Sequence, residues 1–345
     1  MKNDHKFVLR QSALLFLTAV IWGVAFTAQS AGMDYVGPYT FNAARFLLGT
    51  LTLLPLVLIR RKTENGRSFH GGESLGCAGS SGALEKGIAE RGRGGKTYTG
   101  DHSNLPGASP VYARSRPFWH RFPRSRVYLF TSGGLSGLAL GAASNLQQMG
   151  ILYTTVGKAG FITAMYIVMV PLFGIFIGRK LKLRIWLSVL AAAIGLYLLC
   201  MGAGEGLSAG KGEALCLACA VLFAVQILLI DHFVPEDGVL FSALQFAVSC
   251  VFSSVLMLLF EHPSLELLLQ AAGPILYAGI LSCGVGYTLQ VIGQKGMNPT
   301  IASLIMSLES TISAIAGFFL LHQSLSGREI WGCCIMGLAI VLAQL

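Results

Sequence analysis

Runs of about twenty apolar residues recur along almost the whole chain, and no other feature limits its fold so strongly. Roughly 20 residues of α-helix cross the hydrocarbon core of a bilayer, and the backbone polar groups there must be satisfied within the segment. On that ruler ten segments qualify, at residues 11 to 32, 38 to 59, 127 to 149, 155 to 178, 185 to 203, 212 to 232, 239 to 260, 272 to 293, 299 to 321 and 327 to 344. Turn-forming breaks separate most of them: Gly32 to Pro38, Gly202 to Gly212, Pro235 to Gly238, Pro263 and Asn298-Pro299. Connections this short leave little chain for a soluble domain. Charged residues make up 12% of the sequence, about half their share in an ordinary soluble protein, and mean hydropathy is +0.65. The first run outlasts a signal peptide and has no cleavage site ahead of a soluble domain, so it reads as the first span. The fold class expected is an all-α polytopic membrane protein.

A net charge of +9 invites a nucleic-acid reading, which the placement of the charge removes. Residues 60 to 126 hold 13 Lys/Arg against 5 Asp/Glu, so the excess belongs to one loop. Basic residues are retained on the cytoplasmic side. With the N-terminus inside, Lys2, Lys6, Arg10, the long loop, Arg179, Lys180, Lys182, Arg184 and Lys295 are cytoplasmic, against Lys158, Lys211 and Arg328 outside. Ten spans with both termini in the cytoplasm of a plasma-membrane protein fit this asymmetry.

The stretch QQMGILYTTVGKAGFITAMYIVMVP and the run after it echo LQVIGQKGMNPTIASLIMSLEST and the run after that, five spans later. An odd number of spans inverts the second copy against the first, the arrangement many transporters use around a central site. The expected halves are 1–203 and 204–345, the first interrupted at 61–126. That insertion is rich in Gly, Ser and Arg, lacks periodicity, and is expected to be disordered. Its end, ARSRPFWHRFPRSR, interleaves Phe118, Trp119 and Phe122 with basic residues next to a span, a pattern suited to anionic lipid. An accessory insertion explains it equally well.

Polar groups inside apolar spans need a partner or a cavity. Of the 16 acidic residues, Glu309 alone lies near the middle of a span, which makes it a functional candidate, as proton carrier or partner for a cationic substrate. A packing role is the competing account. Trp22 lies mid-span rather than at an interface belt. Asn145, Gln148, Thr163, Tyr166, Gln226, Tyr287 and Gln290 distribute polar groups over several depths, as the lining of a path or as interhelical hydrogen bonds. The leading cavity residues are Trp22, Asn145, Gln148, Tyr166, Tyr287, Gln290 and Glu309. Arg45 reads as a snorkelling or packing residue, with pairing to a carboxylate or an anionic substrate as the alternative, and Gln29, near a span end, says less. Gly133, Gly137 and Gly141 make a flat face for close packing. Pro171 and Pro299 interrupt their spans at related places, although a proline at position 299 also simply starts a helix.

Seven of the eight cysteines fall in apolar runs and read as small buried hydrophobes. Cys216 and Cys219 form an isolated CxxC with no neighbouring His, poor material for a metal or redox site. The histidines lie in loops or at span ends, without HExxH, GxSxG, paired intramembrane aspartates or a phosphate loop. Neither an enzyme nor a cofactor is expected.

The segments AVIWGVAFTAQ, SNLQQMGILYTTVGKAGFITAMYIVMVPL, NPTIASLIMSLES and LSGREIWGCCIMGLAIVLAQ, in that order, resemble the EamA-like branch of the drug/metabolite transporter superfamily. The resemblance covers nearly everything outside residues 61 to 126. It implies two inverted five-helix repeats around a central cavity, alternating access, and export or exchange of small metabolites, amino acids or drugs. Many relatives carry a Gly-Glu pair before the last span; here His322-Gln323 stand there, so no role of that acid transfers. Expected partners are a small-molecule substrate, the lipid bilayer and, in a homodimer, a second copy. A proton antiporter would use Glu309, a facilitator needs no titrating group, and a receptor or scaffold that keeps the fold would bind without flux.

Overall fold

The structure, a computed structural model, describes residues 2–70, 126–201, 210–235, 237–321 and 326–345. Among them every regular element is helical. Among the described residues eight helical stretches are long and apolar enough to cross a membrane, two of them, Gly157–Phe176 and Ala272–Gln294, made of consecutive shorter helices. In chain order the first are α1 (Lys2–Gly32), α2 (Pro38–His70) and α3 (Arg126–Ile151). Next come α4 (Val156–Ala164), α5 (Tyr166–Phe176), α6 (Leu183–Cys200), α7 (Lys211–Phe233) and α8 (Gly238–Phe260). After α9 (Leu265–Gln270) and α10 (Ala272–Leu276) lies a π-helical segment, Tyr277–Tyr287, continued by α11 (Thr288–Gln294). The chain closes with α12 (Pro299–Met306), α13 (Leu308–Leu321) and α14 (Gly327–Gln344). The expected runs at 127 to 149 and 299 to 321 are helical too, as α3 and as α12 with α13.

Differences from expectation sit at ends and joints. α1 has 31 residues, about 46 Å at 1.5 Å per residue, and so outruns a hydrocarbon core of about 30 Å. α2 continues to His70, so the first ten residues of the segment expected to be disordered are helical. The rest of that segment, with its aromatic-basic end and Cys77, lies outside the described residues, as do most of the break at 202 to 212 and the His322-Gln323 pair. Pro171 does not break its helix, and Pro299 stands at the expected break between two spans rather than inside one. Pro171 lies within α5, and Pro299 opens α12, whose first turn is capped by Asn298 Oδ1 accepting from Thr300 N at 2.9 Å. The joints fall instead at Met165, between α4 and α5, and at Ser307, between α12 and α13. Each has nearly flat ψ, −6° and −10°, and each turns the chain through a tight i to i−3 bond: Met165 N to Ile162 O, and Ser310 N to Ser307 O.

Packing follows an inside-out logic. Large apolar side chains such as Phe16, Leu51, Leu190, Leu258 and Leu338 are exposed, whereas Ser136, Asn42, Gln245 and Ser253 are wholly buried. α2 packs on α8, α3 on α7 and α8, α1 on α13, α5 on α7, and α6 on α14, while α1 and α2 also flank the π-helical segment. The glycine face of α3 lies on α8, where a Cβ on Gly137 would stand 2.6 Å from Gln245 O. A polar seam follows that contact. Ser136 Oγ donates to Gln245 Oε1 at 2.9 Å, Ser249 Oγ to Gly137 O at 2.8 Å, and Asn145 Nδ2 to Ser253 Oγ at 2.8 Å. Asn42 Nδ2 of α2 completes it by donating to Asn145 Oδ1 at 3.0 Å.

The described cysteines are all free thiols. Cys216, Cys219 and Cys283 are buried as read from sequence, while Cys334 is exposed on α14.

Candidate functional site

A cavity lies among α1, α2, α3, α5, α7, the π-helical segment and α13. Trp22, Phe26 and Gln29 come from α1, Arg45 from α2 and Gln147 from α3. Thr163 of α4 and Tyr166 of α5 flank the joint at Met165, as Met306 of α12 and Glu309 of α13 flank the one at Ser307. Phe223, Gln226 and Ile227 of α7, Ser282 and Tyr287 of the π-helical segment, and Gln290 of α11 close the ring. The space a water-sized sphere can enter is about 40 Å³, room for about three waters.

Three contacts organise the walls. Tyr166 Oη donates to Glu309 Oε1 at 3.4 Å, so the residues that follow the two joints meet. Trp22 Nε1 donates to Ser282 O at 3.3 Å, and its ring lies 4.5 Å from that of Tyr287. Gln290 Nε2 donates to Gln226 Oε1 at 3.3 Å. The local sequence makes these approaches feasible. A Cβ on Gly23 would stand 2.7 Å from Glu309 O, and one on Gly286 would stand 2.8 Å from Trp22 Nε1.

Among the described residues Glu309 is the one buried carboxylate and Arg45 the one buried cation. Glu309 sits in the first turn of α13, where the helix dipole favours a negative group. Several polar atoms on the walls have no hydrogen-bond partner: Gln29 Oε1, Gln226 Nε2, Gln290 Oε1, and Nε and Nη2 of Arg45. No group of three or more His, Cys, Asp or Glu side chains among the described residues is placed to hold a metal ion.

The model of the EamA-like transporter family matches residues 10–84 and 210–345, more than half of the chain. The chain belongs to the EamA-like transporter family. A relative from Archaeoglobus fulgidus, described as an uncharacterized transporter, is 22% identical over 332 residues, which are 96% of this chain and 84% of the relative. A solved crystal structure aligns with a TM-score of 0.67 at 16% identity, over 97% of this chain and 96% of its own, a likeness of fold. The chain is thus a membrane transporter by family.

In this EamA-like chain five of the seven leading cavity residues read from sequence, Trp22, Tyr166, Tyr287, Gln290 and Glu309, line one cavity, and so do Thr163 and Gln226. Asn145 and Gln148 lie outside the lining. Asn145 is held in the seam between α2, α3 and α8, and Gln148 Nε2 donates to Gln29 O at 3.2 Å. The helix period explains the swap: Gln147, one residue along and so about 100° round α3, points to the cavity instead. Arg45 does not snorkel. It is 2% exposed and stands in the wall. Phe26, Phe223, Ile227 and Met306 also escaped sequence reasoning, because an apolar wall residue has no mark that distinguishes it from core.

Proposed function

We propose that this chain is a secondary transporter that exports a small metabolite, amino acid or drug by alternating access, with Glu309 carrying the coupling proton. The observation that carries the reading is the cavity itself, whose walls mix aromatic faces with unpartnered amides and one carboxylate. Buried polar atoms without partners are rare except where a guest or water completes them. Ten spans, in inverted halves 1–203 and 204–345, account for the packing. Exchanging each span for the one five places on turns α1 on α13 into α7 on α5. It likewise turns α3 on α7 into α11 on α1, and α3 on α8 into the π-helical segment on α2. The pairs α2 with α8 and α6 with α14 exchange into themselves. The joints at Met165 and Ser307 fall in corresponding spans, as do the discontinuous helices at the binding sites of other inverted-repeat transporters. The asymmetry of the basic residues supports a cytoplasmic side for both termini, and a plasma-membrane location goes with the export reading.

The test compares untargeted metabolite profiles, inside and outside, of cells expressing wild type, Glu309→Gln or empty vector, followed by flux into liposomes under an imposed pH gradient. A compound that leaves only with wild type, and whose flux follows the gradient, is the expected result. Equal flux by Glu309→Gln removes the coupling role, and binding without flux identifies a receptor on the same fold.

A further inference from the structure

The cavity holds a cation that neither the coupling scheme nor the packing of the helices uses. Arg45 is 2% exposed, and its Nε and Nη2 are buried with no hydrogen-bond partner. A guanidinium stays charged at any physiological pH, so burial cannot neutralise it. Left alone in a low-dielectric interior such a charge is costly, and proteins normally provide an acid beside it. Glu309, the one buried acid among the described residues, spends its Oε1 on Tyr166 rather than on Arg45. What Arg45 does have is a packed face. Its Cζ lies 4.9 Å from the Phe46 ring centroid, and Phe46 stacks in turn on Phe246 at 6.3 Å. The plane of the guanidinium is thereby supported on a ring while the edge carrying Nε and Nη2 keeps its donors free. That edge is the one that grips an oxyanion with two parallel hydrogen bonds.

We propose that Arg45 is the docking point for an oxyanion group, carboxylate or phosphate, on the transported solute. The claim rests on the transport reading and narrows it to a substrate class. A small anionic head fits the room available, and the Trp22 and Tyr287 rings supply an apolar face for whatever is attached to it. Arg45 and Glu309 then bind different parts of one guest, or the anion and the proton in turn. An oxyanion at Arg45 also removes the cost of the unpaired charge, so binding and stability are coupled: the empty protein carries a burden the loaded one does not.

The test uses purified full-length protein and two readouts. Thermal stability is measured with millimolar additions of short-chain monocarboxylates, α-amino carboxylates, inorganic phosphate, a sugar phosphate, and uncharged and cationic analogues of the same size. Liposome flux is then measured with the same solutes. Oxyanion carriers are expected to raise the wild-type melting temperature and the matched neutral and cationic compounds to leave it unchanged; the carboxylate and phosphate arms separate the two sources of the group. Arg45→Met is expected to melt at or above the empty wild type, because it removes an unpaired charge, and to lose the ligand-induced rise. Arg45→Lys, which keeps the charge without the fork, is expected to bind about tenfold more weakly or worse. A wild type that no oxyanion stabilises overturns the proposal, as does an Arg45→Met protein that melts well below wild type, which makes Arg45 structural. Neutral or cationic solutes that bind and move while oxyanions do not would refute this inference and leave the transport reading intact. Oxyanion binding without flux of any solute would do the reverse.

Discussion

At the scale of single residues, two polar groups that look alike in sequence have different work to do. Asn145 joins α3 to α2 and α8 through Asn42 and Ser253, away from the cavity. Asn145→Ala should therefore lower stability by about 1 kcal/mol or less, the range for interhelical hydrogen bonds in membranes, and leave the affinity for the transported solute unchanged, as melting curves and binding titrations can check. Tyr166 and Glu309 meet across the cavity. Tyr166→Phe and Glu309→Ala should prove non-additive in flux, because the first removes the donor and the second the acceptor of the one hydrogen bond they share, and a double-mutant cycle reads this directly. The sequence told little about which of these roles a residue plays. An amide in an apolar helix says only that it faces away from lipid. Whether it faces a neighbour or a cavity turns on about 100° of helix rotation, and that is how Gln147 came to stand where Gln148 was expected.

Individual elements were legible in existence and not in their joints. Apolar length alone located the spans, because a bilayer imposes a length and not a sequence. The interruptions at Met165 and Ser307 carry no proline, and Pro171 interrupts nothing, so residue type misdirected the reading. The π-helical segment Tyr277–Tyr287 was equally silent, although its three glycines, Gly279, Gly284 and Gly286, are what allow Leu48, Thr52 and Trp22 to approach. A prediction follows at Gly23, where α1 meets the carbonyl of Glu309. Gly23→Ala gains helix propensity of about 1 kcal/mol but introduces a 2.7 Å contact with backbone that cannot rotate away. The overpacking, about 1–3 kcal/mol, should win, giving a lower melting temperature and weakened flux; unchanged stability would show that α1 can slide along α13.

Across the whole molecule, the pairing of α2 with α8 is tied at both ends by a carboxylate. Glu261, just past α8, accepts from Tyr39 N at 2.9 Å, Thr40 N at 2.8 Å and Thr40 Oγ1 at 2.6 Å, capping the start of α2. Asp237 caps α8 through Val239 N and Leu240 N and pairs with Arg60 of α2 at 3.2 Å. Asp231 of α7 likewise holds Arg179, which follows α5. Glu261→Gln should cost about 1–2 kcal/mol, whereas Arg60→Ala at its exposed site should cost under about 0.5 kcal/mol and less still in high salt; chemical denaturation in detergent at two ionic strengths would rank them. These ties fix the α2 and α8 pair at both of its ends. The room between the walls, about 40 Å³ open to a water-sized sphere, takes a small head group but not a whole metabolite or drug, so on the proposed reading admission itself must part the helices. The slow step of turnover then belongs to the protein and not to its cargo. Maximal rates for chemically different solutes should converge on one value with one steep temperature dependence, while their half-saturation concentrations differ widely.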